Sequence, residues 1–499
     1  MTSDFNNTTL SFITKNTFMK KTTILTLISL LLINCNSDIK DDINPNNPIY
    51  SSEVEDRIGK VLNNLQVATE VDGNFKPQTL SERMAFYHTP AISIAVVNNG
   101  KIEWARGFGK SDLEKNTPTD IETMFQAASI SKPIFALAVM KLKEKGIVDL
   151  DQDVNEYLTS WKIPKNGDWQ PKITMRQLLS HTAGLTVSGF AGYTKNEKLP
   201  TIPQILNGEA PSNSSKVMAD ILPGTKYRYS GGGSVVAQLA VTDLIKKPFP
   251  EIIRDEIFKP LNLKKSTYSQ PLPINFKHKT ATAYPYKNQK INGNHHIYPE
   301  MGPAGLWTTP TELATIMIEI QNGLQGKSDF LKKETLEEML TPQEYVSWMG
   351  IGFFLEGKDE STRFKHNGWN EGFISDFQGY KKIGSGVVIM INSNEGQGII
   401  NEIMNSIAKE YEWTDFLPKE TKLETLDESI LKYIGTYGEY KLDFENGKLF
   451  LTYQNQEPLE LKKTMNGIYK NEYMNFEIKI KVNQLELTQA GQTKIFDKK

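Results

Sequence analysis

The spacing of apolar positions changes several times along the chain, and the changes divide it. Residues 53–71 place Val54, Ile58, Leu62 and Leu65 at helical spacing, which predicts a helix. Residues 91–97 and 101–108 are β-rich and flank Asn99-Gly100, the strongest short signal for a two-residue hairpin. Over 131–145 the pattern turns helical, with Ile134, Phe135, Leu137, Ala138, Val139 and Met140 in a near-continuous apolar run ended by Gly146. A helix apolar on most of its circumference is expected to be buried. Between about 150 and 340, short amphipathic segments alternate with Pro/Gly-rich loops, and strand patterns return at 351–355, 373–377 and 387–392. Strands at both ends with helices between them predict a mixed α/β (α+β) fold. It has one antiparallel sheet flanked by helices, closed by distant segments, with a helical lobe inserted in the middle.

The pattern shifts again after Pro418. From Tyr433 onward helix signals vanish, and 441–445 and 448–453 flank Asn446-Gly447, a second hairpin signal. Alternation continues through 476–482 and 484–489. Residues 425–499 are therefore expected to form a small all-β domain, behind a main domain spanning 53–418.

The N-terminus has a different character. Lys20 and Lys21 precede an apolar stretch over 24–33, broken only by Thr26 and Ser29. It is too short for an anchor helix and fits the apolar core of a secretory signal. Met19 immediately precedes the lysines and is the expected start. Leu32-Ile33-Asn34-Cys35 resembles the end of a bacterial lipoprotein signal, which implies cleavage before Cys35 and lipid on its thiol. The alternative is an ordinary secretory signal with an incidental cysteine. Residues 36–52 are polar and turn-rich and read as a flexible tether. An exported protein, periplasmic or at the cell surface and lipid-anchored to a membrane, is the expectation.

Composition narrows the chemistry. Cys35 is the one cysteine among 499 residues, so neither an intrachain disulfide framework nor a multi-cysteine metal site can form. Lys plus Arg number 57 against 59 Asp plus Glu, a net charge of -2. That balance offers no field to attract a nucleic acid. The six histidines make no His-Glu-x-x-His pattern, and the adjacent His295 and His296 read as solvated loop residues. No metal and no cofactor is expected.

The candidate chemistry begins at Ser129 and Lys132, which open the buried helix. Residues three apart share a helix face, so the two can touch, and Pro133 is tolerated in a first turn. A serine at a helix N-terminus has unpaired N–H groups beside it that suit a developing oxyanion. A lysine desolvated by Phe125 and the apolar helix would lose its proton near neutrality and could accept the serine's. Ser-x-x-Lys alone is a weak signal, equally a capping serine and a solvated lysine. Two further segments sharpen it. Tyr229 lies in Pro223-Gly224-Thr225-Lys226-Tyr227-Arg228-Tyr229-Ser230 ahead of the flexible glycines 231–233, and Phe364-Lys365-His366-Asn367-Gly368-Trp369 precedes the strand at 373. A glycine at 368 would let a substrate backbone lie against the strand edge. Competing motifs fail. Gly109-Lys110-Ser111 lacks the earlier glycine of a phosphate loop, with Trp at 104, and there is no Gly-x-Ser-x-Gly elbow.

Taken in this order and at these spacings, the motifs resemble the serine β-lactamase and penicillin-binding superfamily, closest to its class C-like branch of esterases and D-amino-acid peptidases. The resemblance covers about residues 80–410. It extends to Leu178-Leu179-Ser180-His181-Thr182-Ala183-Gly184-Leu185, Phe258-Lys259-Pro260-Leu261 and Gly305-Leu306-Trp307-Thr308-Thr309-Pro310. It implies Ser129 as acylated nucleophile, Lys132 as its partner and Tyr229 as second proton carrier. The N–H groups of Ser129 and Trp369 would form the oxyanion hole, with Gly231, His366, Asn367 and Gly368 at the substrate. Two departures point from β-lactams toward an ester or peptide. Gly231 stands where lactamases carry an asparagine, and His366 where they carry a lysine that attracts a carboxylate. His181 is expected to bond loop backbone, Tyr227 to pack, and Trp307 either to line the pocket or to anchor it. The expected function is hydrolysis of a small-molecule or peptide ester or amide through an acyl-enzyme. The alternative is a non-catalytic protein that binds peptidoglycan or peptide fragments.

Overall fold

A computed structural model of the chain describes residues 47–66, 77–276, 279–413, 422–454, 458–471, 476–489 and 492–499. Cys35 and the signal segment lie outside the described residues. The strands up to residue 400 are β1 (Ala91–Asn98), β2 (Lys101–Asp112), β3 (Thr117–Pro118), β4 (Phe125–Gln126), β5 (Trp307–Thr308), β6 (Phe354–Glu356), β7 (Arg363–Asn370), β8 (Phe373–Tyr380) and β9 (Gly386–Ile391). Seven of them form one antiparallel sheet in the order β3-β2-β1-β9-β8-β7-β6, while β4 and β5 pair separately. The sheet thus joins the two ends of the domain, as the alternation of patterns predicts. β1 is central and buried along nearly its whole length, so it lacks the polar alternation of a one-faced strand. Asn99 and Gly100 turn the first hairpin with φ of 51° and 71°.

The α-helices are α1 (Ser52–Leu62), α2 (Leu80–Phe86), α3 (Ser131–Glu144), α4 (Met175–Leu179), α5 (Ile202–Asn207), α6 (Gly231–Ile245), α7 (Phe249–Ile253), α8 (Met301–Ala304), α9 (Pro310–Leu324), α10 (Lys333–Met339) and α11 (Gln397–Glu410). The stretch from α3 to α8, which holds no strand among the described residues, is the inserted lobe. Its core runs through α3 and α6, both buried almost all round. Among the described residues no helix is long and apolar enough to cross a membrane.

Four expectations change. The helix predicted over 53–71 ends at Leu62, where the Asn63 N–H closes on Gly59 O and Leu65 pairs with Gln78 instead. The last residues of the expected tether belong to the fold. Asn47 is buried and exchanges two hydrogen bonds with Gly107 of β2, at 2.8 and 3.0 Å, and the Tyr50 hydroxyl bridges the N–H and carbonyl of Ala105. The strand expected at 351–355 begins only at Phe354. Ile351 and Gly352 instead donate to Met339 O and Leu179 O, and Gly352 takes φ 81° where a Cβ would meet Ala136 of α3 at 2.6 Å. Finally, β7 is a full strand through the His366 segment. From Phe364 on its even positions are buried and its odd ones more exposed, a period-two pattern hidden by polar residue types.

The C-terminal region is all-β, as expected. Eight antiparallel strands between Gly435 and Asp497 follow one another in chain order, and a Tyr437–Lys498 bridge nearly closes them into a barrel. Leu442, Leu449, Leu451, Leu461, Ile478 and Leu485 fill it.

α2 is tied to α11 by a buried ion pair. Arg83 donates to both Glu402 oxygens, at 2.8 and 2.7 Å, and the Tyr87 hydroxyl adds a third bond at 2.8 Å. Removing one member strands the other charge. Arg83→Met is expected to cost about 3–5 kcal/mol in denaturant unfolding, whereas exposed Lys382→Met, which breaks only its pair with Glu360, should cost under about 1 kcal/mol.

Candidate active site

The nucleophile turn is held before the helix begins. Ala127 N donates to Leu306 O. Ala128 then takes φ 49°, a left-handed conformation that costs a residue with a Cβ about 1–3 kcal/mol. A single 3₁₀ turn, Ala128–Ile130, carries Ser129 into α3. Ser129 therefore sits two residues ahead of the helix rather than inside it. Ser131 fixes the turn from below: its hydroxyl donates to Ala128 O at 2.5 Å and accepts from Leu306 N at 3.0 Å.

Lys132 lies on the first turn of α3, buried, with Nζ 2.9 Å from Ser129 Oγ and 3.0 Å from Pro303 O of α8. Among the described residues no carboxylate compensates it, and burial lowers its pKa from 10.5 to about 7. The same Nζ lies 4.8 Å from the centre of the Tyr229 ring. The Tyr229 hydroxyl is hydrogen-bonded to Ser129, and burial pushes its pKa well above the usual tyrosine value. At neutral pH the tyrosine keeps its proton and the lysine is free to lose its own.

His181 bonds loop backbone, as expected, and does so around Tyr229. Its carbonyl accepts from Arg228 N at 2.8 Å and its Nδ1 accepts from Ser230 N at 3.2 Å, so Tyr229 is gripped on both sides. The two rings lie 4.4 Å apart. Accepting at Nδ1 places the ring proton on Nε2. Burial, then the neighbouring Lys132, holds its pKa well below 6.5. The glycines 231–233 are not flexible: they are buried as the first turn of α6, capped by Ser230 Oγ, which accepts from Gly233 N at 2.8 Å.

The opposite wall is β7. The Glu371-Gly372 loop closes on the Asn370–Phe373 pair, so Trp369 opposite Ile374 falls in a non-hydrogen-bonded pair. Its N–H points away from β8. β6 pairs with β7 only as far as Lys365, which leaves the edge at 366–370 open toward the nucleophile turn. A Cβ on Gly368 would lie 2.2 Å from Ala127 O and 3.0 Å from Ala128 Cβ. The glycine is therefore needed to seat the strand on the turn, not to make room for a substrate backbone. Trp369 reaches the site only by its backbone: its side chain is 57% exposed on the other face and donates to Asn394 Oδ1 at 3.1 Å. The Asn367 side chain is exposed as well.

His366 is buried beside Tyr229, at 6.3 Å between rings, and its Nδ1 lies 2.6 Å from Asn367 O. That carbonyl can only accept, so Nδ1 carries the proton and Nε2 is a buried acceptor with no partner among the described residues. Burial, reinforced by Lys132, lowers its pKa to about 3. Gly231 stands apart from the rest. The place of a side chain there is taken by Phe190, 3.0 Å from its Cβ position, and by Ser188 O at 3.1 Å. Gly231 thus contributes packing rather than a substrate contact.

Ser129, Lys132, Tyr229, His366 and the open edge at Trp369 come together; Gly231 and the Asn367 side chain do not. Trp307 is a buried anchor, edge-on to Phe373 at 5.7 Å. His295 and His296 are half-buried rather than solvated, against Trp307 and Ala191 O. Phe190, Ser131 and Pro303 were not singled out from the sequence. Their contributions are a ring, a turn lock and a backbone carbonyl, which no local motif marks. Among the described residues no group of three His, Cys, Asp or Glu side chains could hold a metal ion.

The beta-lactamase family profile matches residues 77–402. Among characterised proteins, Protein flp of Staphylococcus aureus (strain MW2) is 26% identical over 322 residues, 62% of this chain and 60% of that protein. The chain thus spans less than two thirds of that relative's length. Penicillin-binding protein 4* of Bacillus subtilis (strain 168) is 22% identical over 413 residues, covering 77% of this chain and 88% of that protein. The octameric penicillin-binding protein homologue from Pyrococcus abyssi superposes with a TM-score of 0.58 at 20% identity, over 84% of this chain and 98% of its own. D-amino acid amidase from Ochrobactrum anthropi SV3 does so at 0.56 and 19%, over 73% and 100%. At these identities the solved structures establish the shared fold.

The burial of Lys132 has a consequence for stability. Its folded pKa, about 7, lies below the ordinary 10.5. Between those values the unfolded chain binds a proton that the folded chain does not, so stability rises with pH across that window; below it the penalty is fully in force. Lys132→Met removes the penalty together with two hydrogen bonds. It is expected to stabilise the fold by about 2 kcal/mol at pH 7, a gain that shrinks as pH approaches 10.5 in thermal or denaturant unfolding.

Proposed function

The chain belongs to the beta-lactamase family, and from that membership we propose that it is a serine hydrolase that cleaves an ester or amide through an acyl-Ser129 intermediate. The observation that carries the proposal is the buried, uncompensated Lys132 Nζ at 2.9 Å from Ser129 Oγ. Neutral Lys132 takes the hydroxyl proton as Ser129 Oγ attacks the carbonyl carbon. The N–H groups of Ser129 and Trp369 receive the developing oxyanion. The proton passes from Lys132 through the Tyr229 hydroxyl to the leaving oxygen or nitrogen as its bond to carbon breaks. Water then attacks the acyl carbon and gives a proton to the same pair, which returns it to Ser129 Oγ as the acyl C–Oγ bond breaks and the carboxylic acid leaves. His181 holds Tyr229 in place for both steps.

Esterase or D-amino-acid peptidase activity is favoured over β-lactam turnover. Phe190 fills the space beside Gly231 where an amide-contacting side chain would project, and His366 is neutral. The names of the relatives, a penicillin-binding protein and a D-amino acid amidase, fit acyl transfer. The Lys20–Cys35 segment supports an exported, lipid-tethered enzyme.

A fluorophosphonate probe tests the mechanism. It should label the native protein and not Ser129→Ala. Tyr229→Phe should lower ester turnover about 10²–10⁴-fold. A native protein that takes no label, or Ser129→Ala labelled as well as native, would leave only a fragment-binding role. Cephalosporin hydrolysis faster than that of a simple ester would overturn the substrate preference.

A further inference from the structure

Six aromatic side chains form a closed circuit beginning at the proton carrier. Tyr229 meets His366 at 6.3 Å between ring centres, His366 meets Phe354 at 4.8 Å, and Phe354 meets Trp348 at 6.1 Å. Trp348 meets Tyr227 at 4.4 Å, Tyr227 meets His181 at 6.0 Å, and His181 returns to Tyr229 at 4.4 Å. The circuit is buried at its inner end, at His181 and His366, and opens at Trp348, which is 40% exposed. It comes from three separate segments, the α4–α6 connection, the Trp348 loop and β6–β7. No one packing need of a single element explains it.

We infer that the outer half of this circuit, Trp348 with Tyr227 and Phe354, is the subsite for the leaving group, and that it selects a neutral apolar or aryl leaving group over one bearing a carboxylate. The inference rests on the acyl-enzyme reading above. Tyr229 protonates the leaving atom, so that atom must lie against its hydroxyl. The rest of the leaving group then runs along the rings that continue from Tyr229 toward solvent. Aromatic faces there offer large apolar area at little cost in side-chain freedom. A carboxylate in the same place would lose water without gaining a cation. His366 is neutral and presents an acceptor at Nε2, which repels an anion's lone pairs and welcomes a donor. Two of the neighbouring cations are engaged, Arg228 with Asp220 and Lys365 with Glu356, while Lys226 beside Tyr227 is exposed to solvent.

Phenyl acetate and 3-carboxyphenyl acetate test the idea, since they deliver the same acyl group and differ in leaving-group charge. The full-length enzyme is expected to show kcat/KM at least about tenfold higher for the phenyl ester. Trp348→Ala should shrink that ratio about three- to tenfold, and Trp348→Arg, which supplies a cation, should reverse it. Equal or better use of the carboxylated ester by the native enzyme would overturn the inference, as would an unchanged ratio in both variants. Acyl-enzyme detected by mass spectrometry on Ser129 separates this failure from that of the mechanism. If Ser129 is acylated while the ratio is flat, only the leaving-group assignment falls; if it is never acylated by either ester, both fall.

Discussion

An ammonium group enclosed by apolar helices, with a serine hydroxyl as its neighbour and no carboxylate to balance it, is the interaction on which the rest of the architecture depends. Placing a cation there is unfavourable, and the unfavourable term is what makes the amine a base near neutrality. The near-continuous apolar run of α3 supplies the low-dielectric surround. α8 contributes one carbonyl, that of Pro303, enough to orient the amine without restoring its charge. Tyr229 completes the pair with the opposite displacement: the same burial that drives a proton off lysine keeps one on tyrosine. One environment thereby makes an acceptor and a donor out of two groups whose unperturbed affinities for a proton are nearly equal.

Holding that pair against a substrate requires backbone that an unconstrained chain would avoid. Ala128 takes a left-handed conformation immediately before the nucleophile. It is over-determined by Ser131, by Leu306 just ahead of β5 and by β7, whose Gly368 leaves room for the Ala127 carbonyl. The seven-stranded sheet gives this clamp its rigidity. β7 meets the nucleophile turn directly and is joined through β8 to β9, which pairs with β1 near the start of the domain. Chain ends roughly 300 residues apart are therefore needed to build one catalytic edge, and the helical lobe between them brings Tyr229 and His181 to the other side.

Much of this was legible before the structure. Periodicity placed α3, the hairpin β1–β2, the inserted lobe and the C-terminal β-region, because each is dominated by local pattern or by an Asn-Gly turn that needs positive φ at both positions. Ser129, Lys132 and Tyr229 were legible from motif order. What escaped were features set by tertiary contact. β7 was hidden because Lys365, His366 and Asn367 disguise a strand whose buried face is correctly alternating. Gly368 reads from the sequence as room for a substrate backbone and Gly231 as a position at the substrate, whereas at both the space beside the Cα is filled by the protein's own atoms. The role of His181 depends on a backbone N–H 49 residues away, which spacing alone does not reveal. The neutrality of His366 follows from burial and from the nearby Lys132, and the adjacent carbonyl of Asn367 sets which ring nitrogen keeps its proton; residue type reports neither.

The central claim is that Lys132, by burial alone, is uncharged often enough at neutral pH to accept the Ser129 proton. Its most direct test is the titration of Lys132 Nζ itself, followed by NMR of lysine labelled at Cε and assigned by comparison with Lys132→Met. A midpoint near 7, far from the other lysines and unchanged in Ser129→Ala, is the predicted result. A midpoint near the ordinary 10.5 in the folded protein would contradict the account.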